Sequence, residues 1–397
     1  MLRICILSFT PVATDPRVLR QIQTLRALSE VTLVGYGTPP ESPVDFRSVL
    51  PRPTGVWART LPKFVAQATS SLLLVLGLNK LFYWTRPYTR QAFRSLRGER
   101  FDLVIANNFE TVPLAKRLSR GLTPIILDAQ EFTPDEFPDG WLTRIFSRYR
   151  SRFLVKSQAK NVNKVFTVSK KIADAYESEF GLTNVELLLN VPGYQELAPS
   201  RNESEPIRLI HHGICTRGRN LEKTIEAMRQ LQDRFSLTLM LMPSDPAYLA
   251  ELKVLASGLP VEFIAPVPTI EISRELNKHD IGVFLHNSDT FNAKHCLPNK
   301  FFEYIQGRLA IAIGPSPEMA AITNENNLGV VTSEFTTAAL VEALSGLTRS
   351  RVDAFKENSH AVATRFCWEV EAVKLVGAVN LLTRQSPDLP RNPLLGQ

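Results

Sequence analysis

The stretch Leu297-Pro298-Asn299-Lys300-Phe301-Phe302-Glu303-Tyr304-Ile305-Gln306-Gly307 decides how the chain is read; it is followed by the apolar run Leu309–Ile313 and by Gly314-Pro315-Ser316-Pro317-Glu318. Proline suits the first turn of a helix and glycine the position just past its last turn, so the stretch predicts loop, short helix, stop, strand and turn. The first helical turn carries free N–H groups and the positive end of the dipole, which makes Lys300 the wrong charge for helix stability alone. An anion bound at that end removes the conflict, because ammonium and backbone N–H groups would point at it together. Glu303, three residues on, can share a face with Lys300. A cation for phosphate and a carboxylate for hydroxyls is what a nucleotide diphosphate asks of a site. By spacing alone the same residues also fit a solvated i,i+3 ion pair on an ordinary amphipathic helix.

Working upstream, strands alternate with helices. Ile207–His211 reads as a strand, and His212-Gly213-Ile214-Cys215-Thr216-Arg217-Gly218-Arg219-Asn220-Leu221-Glu222 as a Gly-containing loop entering a helix that runs to about Leu231. Such a loop suits a diphosphate, and arginine brings a fork of donors to it. Leu237–Met242, Val261–Ile264 and Ile281–His286 follow as strands, with a short helix Ile270–Leu276. The loop Asn287–Leu297 carries Asp289, Asn292, Lys294 and His295, and residues 335–350 and 351–382 read as helical. The polar, Pro-bounded residues 193–206 mark a boundary.

The first half repeats the alternation. Arg3–Phe9 is a strand; Asp15-Pro16-Arg17-Val18 opens a helix running to about Leu28, with Arg17 and Arg20 as candidates for ligand contact; Val31–Val34 is the next strand, and 39–56 reads as loop. Phe101–Ala106 is a buried strand ending at Asn107-Asn108-Phe109-Glu110-Thr111, and Pro124–Leu127 ends at Asp128-Ala129-Gln130-Glu131. Ligand crevices lie outside the carboxyl ends of parallel strands, so Asn108, Glu110, Asp128 and Glu131 are acceptor-site candidates. Asp128 also fits a helix N-cap. Val165–Ser169 and Leu187–Pro192 complete the half.

The totals limit the function. A chain of 397 residues, 44% hydrophobic and 21% charged, supports two domains with a core each. Cys5, Cys215, Cys296 and Cys367 stand far apart in no metal-ligand spacing, which predicts reduced thiols in the cytoplasm. No signal-peptide layout, spanning run or Asp-x-Asp pattern is visible, so neither a metal nor another cofactor is expected. Residues 57–100 carry eight Lys/Arg against one Glu, and residues 141–173 carry nine and no acid, so the basic surface belongs to the first half of a chain whose net charge is +7. Phe64–Trp84 is apolar with aromatic ends and basic flanks, suited equally to a core helix or to lying on an anionic membrane. No nucleic-acid motif or stacking platform accompanies the charge.

The run Pro298–Glu318 resembles the donor segment of glycosyltransferase family 4 enzymes of the GT-B fold, which are usually retaining, nucleotide-sugar-dependent and metal-independent. The resemblance implies an α/β fold of two Rossmann-like domains facing a central cleft, with a C-terminal helix crossing back to the first. It places an acceptor domain at 1–195, a linker at 196–206, a donor domain at 207–365, the returning helix at 366–384 and a tail at 385–397. It implies that Glu303 holds the nucleotide ribose, and that Arg219, with Arg217 beside it, holds the donor phosphates together with Lys300. Gly213 and Asn299 join the donor set. The family's sugar-binding glutamate, eight positions before Glu303, is replaced here by His295, so His295 or Asn292 would stand in for it. The family's histidine at the end of the Phe101–Ala106 strand is replaced by Asn107, a candidate catalytic contact alongside Arg219 and Lys300. The implied reaction moves a hexose-type sugar to a glycan or lipid-linked acceptor, at the inner face of the membrane. A GT-B nucleotide-sugar epimerase and a non-catalytic GT-B scaffold remain the alternatives.

Overall fold

The computed structural model describes residues 1–49, 78–135, 151–158, 160–201, 205–286 and 290–384. Residues 57–77 of the apolar, basic stretch, residues 141–150 of the basic 141–173 stretch, Asp289, 202–204 and the 385–397 tail lie outside these. The chain forms two compact units, Met1–Leu188 with Ala372–Gln397, and Leu189–Glu371.

The first unit is built on seven parallel strands: β1 (Leu2–Pro11), β2 (Ser29–Tyr36), β3 (Asp45–Ser48), β4 (Leu103–Asn107), β5 (Ile125–Asp128), β6 (Lys164–Thr167) and β7 (Val185–Leu187), in the order β3-β2-β1-β4-β5-β6-β7. Strand order reverses between β1 and β4, the switch point at which α/β sheets bind ligands. Ile4–Leu7 and Leu103–Ala106 are fully buried because helices cover both faces of a parallel sheet. The helix Pro16–Leu25 follows β1, its N-terminus fixed by the Asp15 carboxylate, which accepts from the N–H groups of Arg17 and Val18. Residues 39–56 were expected as loop, but Asp45–Ser48 adds an edge strand to β2. Asp-Phe-Arg-Ser has no apolar alternation, and its strand form comes from backbone pairing with Thr32–Gly35.

The second unit holds six parallel strands, β8 (Ile207–Ile214), β9 (Phe235–Met242), β10 (Val261–Ile264), β11 (Ile281–Phe284), β12 (Ala310–Ile313) and β13 (Gly329–Val331), in the order β10-β9-β8-β11-β12-β13. Its switch point lies between β8 and β11. The helix Pro246–Leu255, capped by Asp245, joins β9 to β10 and was not foreseen from the sequence.

The division between units falls at Leu188/Leu189, upstream of the 196–206 segment expected as linker. Residues 194–200 are fastened to the second unit. The Arg308 guanidinium donates to the carbonyls of Gln195 and Leu197, Gln306 Oε1 accepts from Gln195 N–H, Asn277 donates to Ala198 O, and Lys356 donates to Ser200 O. On the return, the helix Trp368–Arg384 begins in the second unit and passes to the first at Ala372. Its first turn ties down the outgoing chain: Glu371 accepts from Leu189 N–H, Glu369 from Tyr194 N–H, and Trp368 N–H donates to Pro192 O.

Candidate active site

The helix Asn299–Gln306 forms with Pro298 at its N-cap and Gly307 at its C-cap, as the sequence predicts. Phe301, Phe302, Tyr304 and Ile305 on it are fully buried, each a contribution of roughly 1.5–3 kcal/mol to holding the helix against the sheet. Tyr304 sets its depth. A side chain at Gly282 of β11 would place its Cβ 2.4–2.6 Å from the Tyr304 ring, so the glycine leaves the gap in which the ring lies. The pairing of β8 with β11 ends at Ile210↔Gly282. Beyond it the Tyr304 hydroxyl donates to Val283 O at 3.1 Å and lies against the backbone of His212. The phenol thus satisfies strand groups that the ladder leaves over.

This docking carries Lys300, one turn earlier, into a small chamber, where it is 8% exposed. Its ammonium lies 3.0 Å from His211 Nε2 and 4.6 Å from the centre of the Phe284 ring. Gly213, at φ +125°, makes the third wall; a Cβ there would stand 3.2 Å from the ammonium. Glu303 Oε2 lies 3.3 Å from His212 Nε2, without the alignment of a hydrogen bond. Burial, then the nearby charge of Arg219, holds Lys300 well below the ordinary lysine range, and Glu303 opposes this in part. Burial and then Lys300 push His211 and His212 well below 6.5, so both rings are neutral at pH 7. His286, which accepts no charge either, is lowered to about 4 by burial and then by Arg219; its Nδ1 meets Gly218 O at 3.0 Å. Lys300 and Arg219 form no ion pair among the described residues, and the two cations destabilise each other in the free protein. A dianionic ligand relieves that repulsion.

The other donor candidates divide. Asn299 Oδ1 is buried and makes no hydrogen bond, leaving an acceptor for a ligand. Asn292 and His295 lie on the short helix Phe291–His295, with His295 Nδ1 3.8 Å from Glu318 Oε1. Arg217 is corrected: it is exposed, pairs with Glu251 at 2.6 Å and lies near Asp245, so its guanidinium is already engaged.

In the first unit the structure also corrects three expectations. Arg17 and Asp128 are both fully buried and bound to each other, at 2.8 and 2.7 Å, with Arg17 also donating to Leu188 O. They brace β5 against the helix after β1 and have no surface to offer an acceptor. Asn107, 2% exposed, exchanges amide hydrogen bonds with Gln21 at 3.0 and 3.1 Å, so its side chain is closed off from a sugar. Asn108 takes a left-handed conformation at φ 65°, and its Oδ1 is buried without a partner. Glu110 accepts from Arg86 at 2.9 Å and from the Tyr88 hydroxyl at 2.6 Å, and Glu131 is exposed with its backbone carbonyl taken by Tyr176. A cavity of about 240 Å³ lined by Phe93, Arg97 and Arg117 lies in this unit and touches none of these residues.

Sequence reasoning missed His211, His212 and His286 as groups gathered around Lys300 and Arg219. The available signal for the first two was a pair of adjacent histidines in a largely apolar strand, where burial demands a partner for each.

The family model described as a glycosyl transferase 4-like domain matches residues 14–192. Sucrose-phosphate synthase from Thermosynechococcus elongatus superposes with a TM-score of 0.70 at 12% identity, over 97% of this chain and 100% of that one. HepE from Anabaena, in complex with UDP-glucose, gives 0.67 at 11%, over 96% and 99%. WaaG, a glycosyltransferase involved in lipopolysaccharide biosynthesis, gives 0.62 at 16%, over 96% and 99%. No curated protein matches the sequence. At such identities the structural likenesses speak for the fold, and the domain match speaks for the chemistry. Residues 14–192 thus match a glycosyl transferase 4-like domain, and the chain has the fold of the GT-B glycosyltransferases, two Rossmann-like units.

Proposed function

We propose that the protein transfers a hexose-type sugar, with retention, from a nucleoside diphosphate donor to a hydroxyl of a glycan or lipid-linked acceptor. The observation that carries the reading is a pair of cations with no ion-pair partner among the described residues, Lys300 buried in the second unit and Arg219 close enough to depress it. They stabilise the diphosphate as it departs, the electrostatic contribution that such transfers need most, and no metal is required for it. Asn299 supplies an acceptor for the donor's hydroxyls and Glu303 a carboxylate for the ribose. HepE, among the similar structures, was solved with UDP-glucose, which supports a donor of this class. Asn108, Glu110 and Glu131, at the carboxyl edge of the first sheet, contact the acceptor.

The acceptor is presented at a membrane surface. Leu78 is 48% exposed, Leu81 55% and Phe153 37%, and the basic Lys80, Arg90 and Arg94, near the first two in sequence, are exposed as well. No helix among the described residues is long and apolar enough to cross a membrane. A thermal-shift panel of UDP-, GDP- and ADP-hexoses tests the donor reading: one should raise the melting temperature, and Lys300→Ala and Arg219→Ala should each reduce the shift. An unchanged shift in both variants places the donor elsewhere. Flotation with anionic vesicles tests the surface, and Leu81→Glu should release the protein; failure of the unaltered protein to float removes the membrane from the proposal.

A further inference from the structure

We infer that His211 is the positioning residue that holds Lys300 ready for the diphosphate, an inference that rests on the donor reading above. A lysine side chain has four flexible carbons, and ordering it for a ligand has an entropic cost unless something fixes it beforehand. The usual fixative is a carboxylate. Here that would neutralise the cation and compete with the incoming phosphate.

The chamber uses a neutral acceptor instead. His211 is 2% exposed, and its Nδ1 lies 2.9 Å from Val283 O. A carbonyl only accepts, so Nδ1 carries the ring hydrogen and Nε2 presents a lone pair. That lone pair faces the ammonium at 3.0 Å. It takes one N–H of the three, leaves two and, being neutral, cancels none of the positive charge. Phe284 and Gly213 restrict the remaining freedom, the first by its ring face and the second by having no side chain. Val283 O, held also by the Tyr304 hydroxyl, fixes the tautomer. The strand thus aims the cation without consuming it.

The test uses the full chain and the tightest-binding of UDP, GDP and ADP, measured by calorimetry. His211→Phe keeps the volume and removes the acceptor; it should weaken binding about tenfold, the loss of one charge-assisted hydrogen bond. His211→Gln, whose amide oxygen can accept from the ammonium, should restore affinity to within about threefold. In a Lys300→Ala background His211→Phe should cost nothing further, because its effect passes through the ammonium. Equal losses in both backgrounds, or a glutamine as weak as the phenylalanine, would overturn the inference in favour of simple packing. A ligand-free measurement stands beside this in case the phenylalanine variant does not fold. Long-range ¹H–¹⁵N spectra of the unaltered protein between pH 6 and 8 should show His211 neutral with its hydrogen on Nδ1. A hydrogen on Nε2, or an imidazolium, overturns the positioning role whatever the calorimetry gives. If no nucleoside diphosphate binds the unaltered protein while the Nδ1 tautomer is found, the donor reading fails and the His211–Lys300 arrangement stands.

Discussion

Replacing Lys300 by methionine should make the free protein more stable and the donor complex weaker. The side chain is 8% exposed, faces Phe284 and a neutral histidine, and has no carboxylate bonded to it among the described residues. Methionine has a similar volume and removes a desolvated charge, a change of the kind that is commonly neutral to stabilising by about 1–3 kcal/mol. For a unit of this size each kcal/mol moves the melting temperature by roughly 2–4 °C, so the ligand-free variant should melt about 2–12 °C higher at pH 7. The lysine's folded-state pKa lies below its unfolded value. The unfolded chain therefore binds more protons in the window between the two, and the stability of the unaltered protein rises with pH across it. The methionine variant lacks that slope. Its advantage should be fullest below the depressed value and should vanish towards the ordinary lysine range near 10.5. Binding of the nucleoside diphosphate should fall by about 2–3 kcal/mol, roughly 30- to 150-fold, for loss of a buried charged donor. Scanning fluorimetry across pH and calorimetry with the diphosphate measure the two effects. A variant that melts lower, or that binds the diphosphate as before, refutes the assignment of Lys300 as a cation held at a cost for its ligand.

Three further outcomes follow from other parts of the molecule. Arg17→Met or Asp128→Asn leaves the other member of a buried pair uncompensated and should lower stability by about 3–5 kcal/mol, read by thermal unfolding, whereas an exchange of surface arginines such as Arg94→Met should change little. Gly282→Ala drives a methyl group into the Tyr304 ring; it should lose about 1–3 kcal/mol and shift the donor helix, seen as weaker diphosphate binding, and an unaffected variant would mean that the ring does not rest on this glycine. His211, His212 and His286 are all depressed below 6.5, so their Cε1–H resonances should stay at neutral-ring positions from pH 6 to 8; titration of any one of them near 6.5 would contradict the burial described.

The donor helix was legible because its signals are local. Pro298 and Gly307 bracket eight residues, and the misfit of a lysine at a helix start points to an anion without any knowledge of neighbours. The alternation of apolar strands with helices likewise gave two parallel sheets. What the sequence concealed depends on pairs distant along the chain. Arg17 and Asp128 lie 111 positions apart, and each alone looks like a ligand contact at a strand end or helix start. Asn107 looks free until Gln21, 86 positions away, closes its amide. Arg217 and Arg219 are indistinguishable in sequence, and only the reach of Glu251 on the neighbouring helix takes the first and leaves the second. β3 was hidden because edge pairing needs no apolar pattern.

The grip of Arg308, Gln306 and Glu371 on residues 189–198 has a practical consequence. A fragment spanning 189–371 retains its own clasp at both cut ends and carries every donor residue named above, so it is the natural piece to express alone for nucleotide titrations. One begun at 207, where the second unit's first strand starts, would strip the carbonyls of Gln195 and Leu197 from a buried guanidinium and leave it only its bonds to Ile305, Gln306 and His360.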